Sequence, residues 1–313
     1  MLSRRNFGLA FGIGGLLHAQ VKIEPRKKAG PPEPEQTRPN LRVDTNLVLV
    51  PVTVCDPLNR PITGLEKENF RVLDDAVEQT ITHFAMDDEA VGVGLVFDVS
   101  GSMVEKLRRS RMAAAAFFAL ANPEDEFFLV QFDSSPKLMV PLTRNVEEIL
   151  NRLTFTKSGG TTALVDAVVL ALHEVKKSKK SRKALLIISD GGENNSRYTD
   201  SELRNMVREA DALIYAIGIY GGARTPEESA GPYFLRHMSE QSGGHALAGN
   251  SYDLPDIAAK IGMELRNRYI LGYTPTNQQR DGRYHAVQVK VVAPRGLPTL
   301  HAFWRRGYYA PSD

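Results

Sequence analysis

The pattern of hydrophobic and polar positions changes twice along the chain. Over residues 41–85 apolar side chains recur at every second position, which predicts short β-strands. Residues 90–265 instead show apolar runs that alternate with segments of helical period. Over residues 268–310 the period of two returns. The pattern therefore predicts a central α/β domain with a β segment on each side of it in the sequence.

The central segment has the pattern of a parallel sheet covered by helices on both faces. Its apolar runs are nearly continuous, as expected for strands that are buried on both sides, and helical stretches separate them. We therefore predict a doubly wound, mostly parallel, Rossmann-like sheet with one hairpin edge strand at 137–140. The predicted strands are 91–97, 127–132, 183–189 and 212–219, and the predicted helices are 103–120, 164–175, 201–210 and 255–265. The period of the first helix places Lys106, Arg108 and Arg109 on its solvent face.

The two flanking segments are too small to fold alone, because isolated hairpins are only marginally stable. We expect 41–85 and 268–310 to pair into one β layer or sandwich beside the α/β domain. Asp281-Gly282 is a strong hairpin signal between two of the strands. The predicted strands are one that ends near Cys55, followed by 70–73, 79–84, 269–273, 285–291 and 299–309.

The N-terminal residues differ from everything that follows. Arg4 and Arg5 precede a glycine-rich apolar run at 7–17, and this arrangement resembles a twin-arginine signal. We interpret 1–20 as a signal peptide and the proline-rich, charged segment 21–40 as an extended linker. The resemblance implies export to the periplasm or cell envelope, with a membrane tether as the alternative if the signal is not cleaved.

The composition of the chain argues against several classes of function. The chain has 313 residues, of which 42% are hydrophobic, and 39 Lys and Arg nearly balance 37 Asp and Glu. This balance gives no reason to expect a nucleic-acid partner, which favours a strongly basic domain. Cys55 is the only cysteine, which excludes an internal disulfide within this sequence and favours a small buried side chain. The seven histidines are scattered without the spacing of a zinc motif.

Polar side chains follow two of the apolar runs in the central segment. Asp98, Ser100 and Ser102 occupy alternate positions directly after the first run, and Asp190 follows the third. Ligands of open α/β sheets bind beyond the carboxyl ends of the strands, so these side chains should meet if the two runs form neighbouring strands. Carboxylate and hydroxyl oxygens are the ligands that hard cations prefer. The sequence therefore predicts a divalent-cation site at this edge of the sheet.

A loop with two threonines, Thr161 and Thr162, lies between these motifs and precedes a predicted helix. With one of them the set has two carboxylates and three neutral hydroxyls, which leaves the cation under-neutralised and able to attract an anionic group. Helix starts after Ser102 and Thr162 would add positive dipole ends to the same surface. The alternative for Asp98 and Ser102 is that they cap the following helix, since Asp and Ser are favoured N-caps.

The three motifs resemble the metal-ion-dependent adhesion site of von Willebrand factor A (VWA) domains. The resemblance covers about residues 90–265, and the order of the motifs along the chain makes it specific. The flanks resemble an acidobacterial subfamily of VWA proteins. The motifs of the site are DVSGS at 98–102, GTT at 160–162 and SDG at 189–191, and those of the flanks include LEKENF at 65–70, ELRNRYILGYTP at 264–275 and RGYY at 306–309.

The resemblance implies how each residue would act. Ser100, Ser102 and one threonine would coordinate Mg²⁺ or Mn²⁺ directly, and Asp98 and Asp190 would bind the ion directly or through water. The loop has one residue more than the common Gly-Gly-Thr-Ala-Leu pattern. We choose Thr162 over Thr161 because the following helix fixes the register better than a glycine loop does. These five ligands, Asp98, Ser100, Ser102, Thr162 and Asp190, are the predicted metal site.

The sequence thus favours an exported, non-enzymatic protein that uses a bound cation in protein–protein interaction or adhesion. Its partner would be a protein that offers an acidic side chain to the metal. One alternative is a metal-dependent hydrolase, for which Glu193 is the nearest candidate base. Another is a structural envelope component in which the ion only stabilises the fold.

Overall fold

The computed structural model describes residues 47–87, 89–220, 226–249 and 253–312. The signal peptide and linker predicted for 1–20 and 21–40 lie outside these residues. None of the helices in the described ranges has the length and hydropathy needed to cross a membrane.

Fourteen strands and six α-helices form within the described residues. The strands are β1 Val48–Cys55, β2 Phe70–Asp74, β3 Val77–Gln79, β4 His83–Asp87, β5 Val91–Asp98, β6 Glu126–Phe132, β7 Pro136–Thr143, β8 Arg182–Ser189, β9 Leu213–Ile219, β10 Ala246–Gly249, β11 Arg268–Tyr273, β12 Tyr284–Val291, β13 His301–Trp304 and β14 Gly307–Tyr309. The helices are α1 Leu107–Phe118, α2 Val146–Thr154, α3 Leu164–Val175, α4 Asp200–Glu209, α5 Pro226–Ser242 and α6 Leu254–Arg266.

A six-stranded sheet with the order β10-β9-β8-β5-β6-β7 forms the centre of the α/β domain. All neighbouring strands are parallel except β6 and β7, which confirms the predicted mostly parallel sheet with an antiparallel edge strand. Every residue of β5 is buried, because α1, α2 and α6 pack on one face of the sheet and α3, α4 and α5 on the other. Burial on both faces explains the continuous apolar runs.

The two flanks of the chain form a pair of four-stranded sheets with the orders β13-β1-β11-β4 and β14-β12-β2-β3. Each sheet takes strands from both flanks: β1 pairs antiparallel with β11, and β2 pairs antiparallel with β12. One hydrophobic cluster joins the two sheets and contains residues such as Val52, Val72, Tyr269 and Val289. We call this part of the structure the β-sandwich.

Three predictions for the flanks are wrong. The strand expected at 79–84 is divided between β3 and β4, and the strand expected at 299–309 between β13 and β14. In both cases the chain leaves one sheet and enters the other at the break. Asp281-Gly282 does not connect a hairpin either, since β11 and β12 lie in different sheets. Alternation of side chains shows which residues face a core but not which sheet they belong to.

The α/β domain also contains elements that the periodicity did not predict. These are α2, α5 and β10. The sequence of α5 includes Pro232 and Gly231, which are poor helix formers. The helix expected to begin near Met103 is also shorter, because a 3-10 helix at Gly101–Met103 comes first and α1 begins only at Leu107.

Candidate metal centre

Three loops meet beyond the carboxyl ends of the central strands. The strand β5 lies between β8 and β6, so the loop after Asp98 is next to the loop after Ser189. The third loop is joined to the first by two backbone hydrogen bonds, in which Gly101 N donates to Gly160 O at 3.0 Å and Gly159 N to Val99 O at 2.8 Å. The topology therefore brings all three sequence motifs to one edge of the sheet.

Asp98 is the most buried carboxylate of this edge, with no exposed surface. Its Oδ1 accepts a hydrogen bond from Ser100 N at 2.8 Å, and its Oδ2 accepts one from Ser189 Oγ at 2.5 Å. Burial raises the pKa of Asp98 to about 6; the hydrogen bonds from the two serines oppose this rise, and the charge of Asp190 adds to it. A buried carboxylate with a raised pKa is stabilised by any cation that comes close to it.

The two serine hydroxyls lie together, with Ser100 Oγ 3.1 Å from Ser102 Oγ. Neither Asp98 nor Ser102 caps a helix. The 3-10 helix at Gly101–Met103 has Ser100 as its N-cap and α1 has Lys106, and neither cap residue makes a side-chain hydrogen bond to the helix. The alternative that Asp98 and Ser102 cap the following helix is therefore wrong. So is the expectation of an α-helix dipole directly after Ser102.

Thr162 and Asp190 face the same small space. A Cβ atom built on Gly192 would lie 3.4 Å from Asp190 Oδ1 and 3.8 Å from Thr162 Oγ1. Thr162 is buried and its N donates to Asn194 Oδ1 at 2.9 Å, whereas Thr161 is exposed and its N donates to Ser134 Oγ at 3.1 Å. Of the two threonines, Thr162 is the one next to Asp190.

The loop after β8 is held in place by close packing. Gly191 has a φ of 80°, a backbone conformation that L side chains rarely adopt, and a Cβ there would lie 2.6 Å from Gly231 Cα in α5. Gly191 N donates to Ser189 Oγ at 2.9 Å, and the same hydroxyl donates to Asp98. Ser189 therefore links Asp98 to the loop that carries Asp190.

Lys106 also belongs to the site, although the sequence placed it on the solvent face of a helix. Its Nζ donates to Asp190 Oδ2 at 2.7 Å, and its side chain is only 14% exposed. Because α1 begins one residue later, Lys106 lies in the turn before the helix and is free to bend toward the loop after β8. No sequence signal that we used predicts this direction.

The donor set fits a hard divalent cation. It consists of carboxylate and hydroxyl oxygens, with no nitrogen or sulfur ligand, and this is the chemistry that Mg²⁺ and Mn²⁺ prefer. The two carboxylates are buried, and Asp190 already binds a positive group, the ammonium of Lys106. One lysine offsets one of the two negative charges, so a divalent ion would leave net positive charge at the site.

Glu193, the candidate base of the hydrolase alternative, is occupied by other bonds. Its Oε2 accepts from Val165 N at 2.8 Å and from Ser196 Oγ at 2.7 Å. Its Oε1 accepts from Asn195 N at 3.0 Å and from Ser196 N at 2.9 Å. Glu193 therefore holds the start of α3 against the loop after β8, and none of these bonds directs it at the predicted metal ligands.

A cavity of about 320 Å³ adjoins the site and includes Val99 of the first loop in its lining. Its other walls carry three cationic side chains and one carboxylate, Lys137, Arg152, Lys157 and Asp133, so that positive charge predominates. The Phe155 ring also lines the cavity and is 82% exposed. We call this surface the basic groove. The groove thus combines positive charge with an exposed apolar ring.

Comparison with known proteins agrees with the fold. Residues 93–193 match the family model of the von Willebrand factor type A domain. The chain is 26% identical over 197 residues to inter-alpha-trypsin inhibitor heavy chain H4 of Bos taurus, which is 58% of this chain and 21% of that protein. It is 24% identical over 211 residues to a UPF0353 protein of Mycolicibacterium paratuberculosis, 63% of this chain and 60% of that one. The chain thus spans less than two thirds of either relative.

Among solved structures, the chain is similar to proximal thread matrix protein 1 from the mussel byssus. The TM-score is 0.50 at 15% sequence identity, and the match covers 62% of this chain and 51% of the mussel protein. At this identity the likeness concerns the fold alone. Together with the family model and the doubly wound sheet, it shows that the central part of this chain has the fold of a von Willebrand factor type A domain.

Proposed function

We propose that this protein binds Mg²⁺ or Mn²⁺ at the edge of its VWA domain and uses the ion to hold an acidic group of a protein partner. The observation that carries the proposal is the convergence of the three loops, with Asp98, Ser100 and Ser102 on the first and Thr162 and Asp190 on the other two. All five side chains offer oxygen ligands, and only two of them carry negative charge.

The carboxylates and the hydroxyls of the proposed site would have different roles. The bound ion supplies a positive centre that attracts a carboxylate from outside the protein. The hydroxyls of Ser100, Ser102 and Thr162 would complete the coordination without adding charge, so that the site stays positive overall. Asp98 would hold its position through the bonds from Ser100 N and Ser189 Oγ. Preorganised ligands lower the entropy cost of binding.

The basic groove indicates which partner surface would fit. Lys137, Arg152 and Lys157 would attract acidic residues around the one that reaches the metal, and Phe155 offers apolar area. We therefore infer an acidic protein segment with at least one apolar side chain as the partner. Export through the twin-arginine-like segment with Arg4 and Arg5 would place this interaction in the periplasm or cell envelope.

The interaction function is favoured over hydrolysis by the engagement of Glu193. All four of its contacts are hydrogen bonds from residues of α3 and the loop after β8. A general base needs a free lone pair within reach of the water that it activates.

The adjacent threonines allow a matched test of the site. We expect isothermal titration calorimetry to detect Mg²⁺ or Mn²⁺ binding to the native protein and to Thr161→Ala, and much weaker binding to Thr162→Ala. A pull-down from envelope extract should then recover a partner with metal present but not with EDTA. The proposal fails if the native protein shows neither a calorimetric signal nor a metal-dependent melting temperature, or if both threonine variants bind equally.

A further inference from the structure

A second group of potential metal ligands lies in the β-sandwich, on different elements from the VWA site. Asp74 ends β2, Asp75 is in the turn that follows it, and His285 is in β12. One carboxylate oxygen from each aspartate and one ring nitrogen of the histidine all lie within 4.8 Å of one another. We propose that these three residues form a second metal site, specific for a divalent transition ion such as Zn²⁺.

Asp75 is fixed by the strand pairing around it. Asp75 N donates to Ala286 O and Ala286 N donates to Asp75 Oδ1, each at 2.9 Å. Asp75 and Ala76 have φ values of 46° and 67°, the left-handed conformation that a tight two-residue hairpin requires. Since Oδ1 accepts the backbone bond, Oδ2 is left to point at His285, with Nδ1 at 2.9 Å.

Asp74 supplies the observation that points to a missing cation. It is 95% buried, and its Oδ2 accepts hydrogen bonds from Tyr273 Oη at 3.0 Å and Tyr308 Oη at 2.9 Å. Its Oδ1 is also buried but has no hydrogen-bond partner among the described residues. This oxygen lies 3.7 Å from His285 Nδ1, so it is directed into the cluster. A buried carboxylate oxygen without a partner is costly unless a ligand satisfies it.

The distances suit a small ion. Zn²⁺ binds carboxylate oxygen and histidine nitrogen at about 2.0–2.2 Å, so ligand atoms of one ion lie roughly 3–4 Å apart. His285 Nδ1 lies 2.9 Å from Asp75 Oδ2 and 3.7 Å from Asp74 Oδ1, close to that spacing. One nitrogen and two carboxylates are typical of first-row transition ions, whereas Mg²⁺ favours oxygen ligands alone.

The proposed site adjoins a cavity, and Tyr308 holds two of its side chains in place. His285 and Tyr308 line a cavity of about 400 Å³ through which an ion could enter and in which water could complete its coordination. The Tyr308 ring stacks on His285 with centroids 5.4 Å apart and an interplanar angle of 16°. Tyr308 thus orients the histidine with its ring and Asp74 with its hydroxyl, the kind of support that metal ligands commonly receive.

The experiment compares variants on the two sides of the histidine ring. Protein without an affinity tag is stripped with EDTA, dialysed and titrated with Zn²⁺ by calorimetry, and Co²⁺ is added separately to record its visible absorption. All of these proteins also carry Ser102→Ala, so that metal binding at the VWA site does not add to the measured signal. We expect binding with a Co²⁺ d–d band, and at least a tenfold loss of affinity in Asp75→Asn and His285→Gln.

Asp281→Asn is the matched control. Asp281 Oδ1 lies 3.9 Å from His285 Nε2, on the opposite side of the ring from the proposed ligands, so the control should keep Zn²⁺ affinity within about twofold. Because Asp75 is half exposed and Asn retains the oxygen that accepts from Ala286 N, Asp75→Asn should fold, which circular dichroism checks. Absence of Zn²⁺ binding to the Ser102→Ala protein, or equal binding by Asp75→Asn and Asp281→Asn, would overturn the proposal.

Discussion

The two candidate metal sites of this protein differ in both ligand chemistry and origin in the sequence. The proposed VWA site offers only oxygen, and three of its five proposed ligands, Asp98, Ser100 and Ser102, lie within one short motif. The proposed site in the β-sandwich adds a nitrogen ligand, and it combines residues that are far apart in the sequence. The turn after β2 contacts β12 through Asp75 and Ala286, which are 211 positions apart. Ligand type should therefore separate the ions, with Mg²⁺ preferred at the first site and Zn²⁺ at the second.

The largest expected effect tests that separation directly. Asp98→Ala should abolish the rise in melting temperature with Mg²⁺, since it removes a ligand that is fixed between Ser100 N and Ser189 Oγ, and should leave the rise with Zn²⁺ intact. His285→Gln should abolish the rise in melting temperature with Zn²⁺ and leave the rise with Mg²⁺ intact. Differential scanning fluorimetry of both variants with each ion measures this. Loss of both responses in either variant would show that the sites are coupled or that the variant is unfolded.

Comparison of the sites also shows what the sequence was able to predict. Asp98 and Asp190 follow apolar runs, and parallel strands place their carboxyl ends at one edge, so local pattern and one topological rule suffice. Asp75 and His285 meet only because β2 pairs with β12 in one particular register. Period-two alternation does not specify strand partners, and a metal site without a spacing motif is therefore not visible in the sequence.

Lys106 shows a second limit, which is local. Helical periodicity placed it on the solvent side of a helix that was expected to begin near residue 103. The 3-10 helix at Gly101–Met103 delays α1 to Leu107, and this shift of one turn directs Lys106 to Asp190. Helix boundaries are the least certain part of such predictions, and here the boundary decides whether a cation lies inside the site.

The second prediction concerns pH and applies to the metal-free protein. Asp98 has a pKa of about 6, raised from 3.8 by burial. The folded state therefore binds this proton more tightly than the unfolded state does, and its contribution to stability is complete below pH 4 and is lost as pH rises through 6. Between these values we expect a loss of up to about 3 kcal/mol, which follows from 1.36 kcal/mol per pKa unit.

Urea denaturation in EDTA at several pH values measures this contribution. Asp98→Asn is the control, because an amide cannot ionise and has nearly the same shape. The difference in unfolding free energy between Asp98→Asn and the native protein should grow with pH between 4 and 6 and then level off. A difference that does not vary with pH would show that burial does not raise the pKa of Asp98 in the folded protein.

The smallest expected effect tests whether the Lys106 ammonium competes with the metal ion or supports its binding. Lys106 Nζ lies 2.7 Å from Asp190 Oδ2, so its charge should repel a metal ion at the VWA site. We expect Lys106→Met to bind Mg²⁺ about threefold to tenfold more tightly but to melt at a lower temperature in EDTA, since it leaves Asp190 buried without its partner. Arg108→Met removes the same charge from an exposed position of α1 and should change neither value. Zn²⁺ affinity at Asp75 and His285 should be unaffected by both variants. If Lys106→Met instead weakens Mg²⁺ binding, Lys106 orients Asp190 for the ion rather than competing with it, and the comparison between the two sites would then rest on ligand type alone.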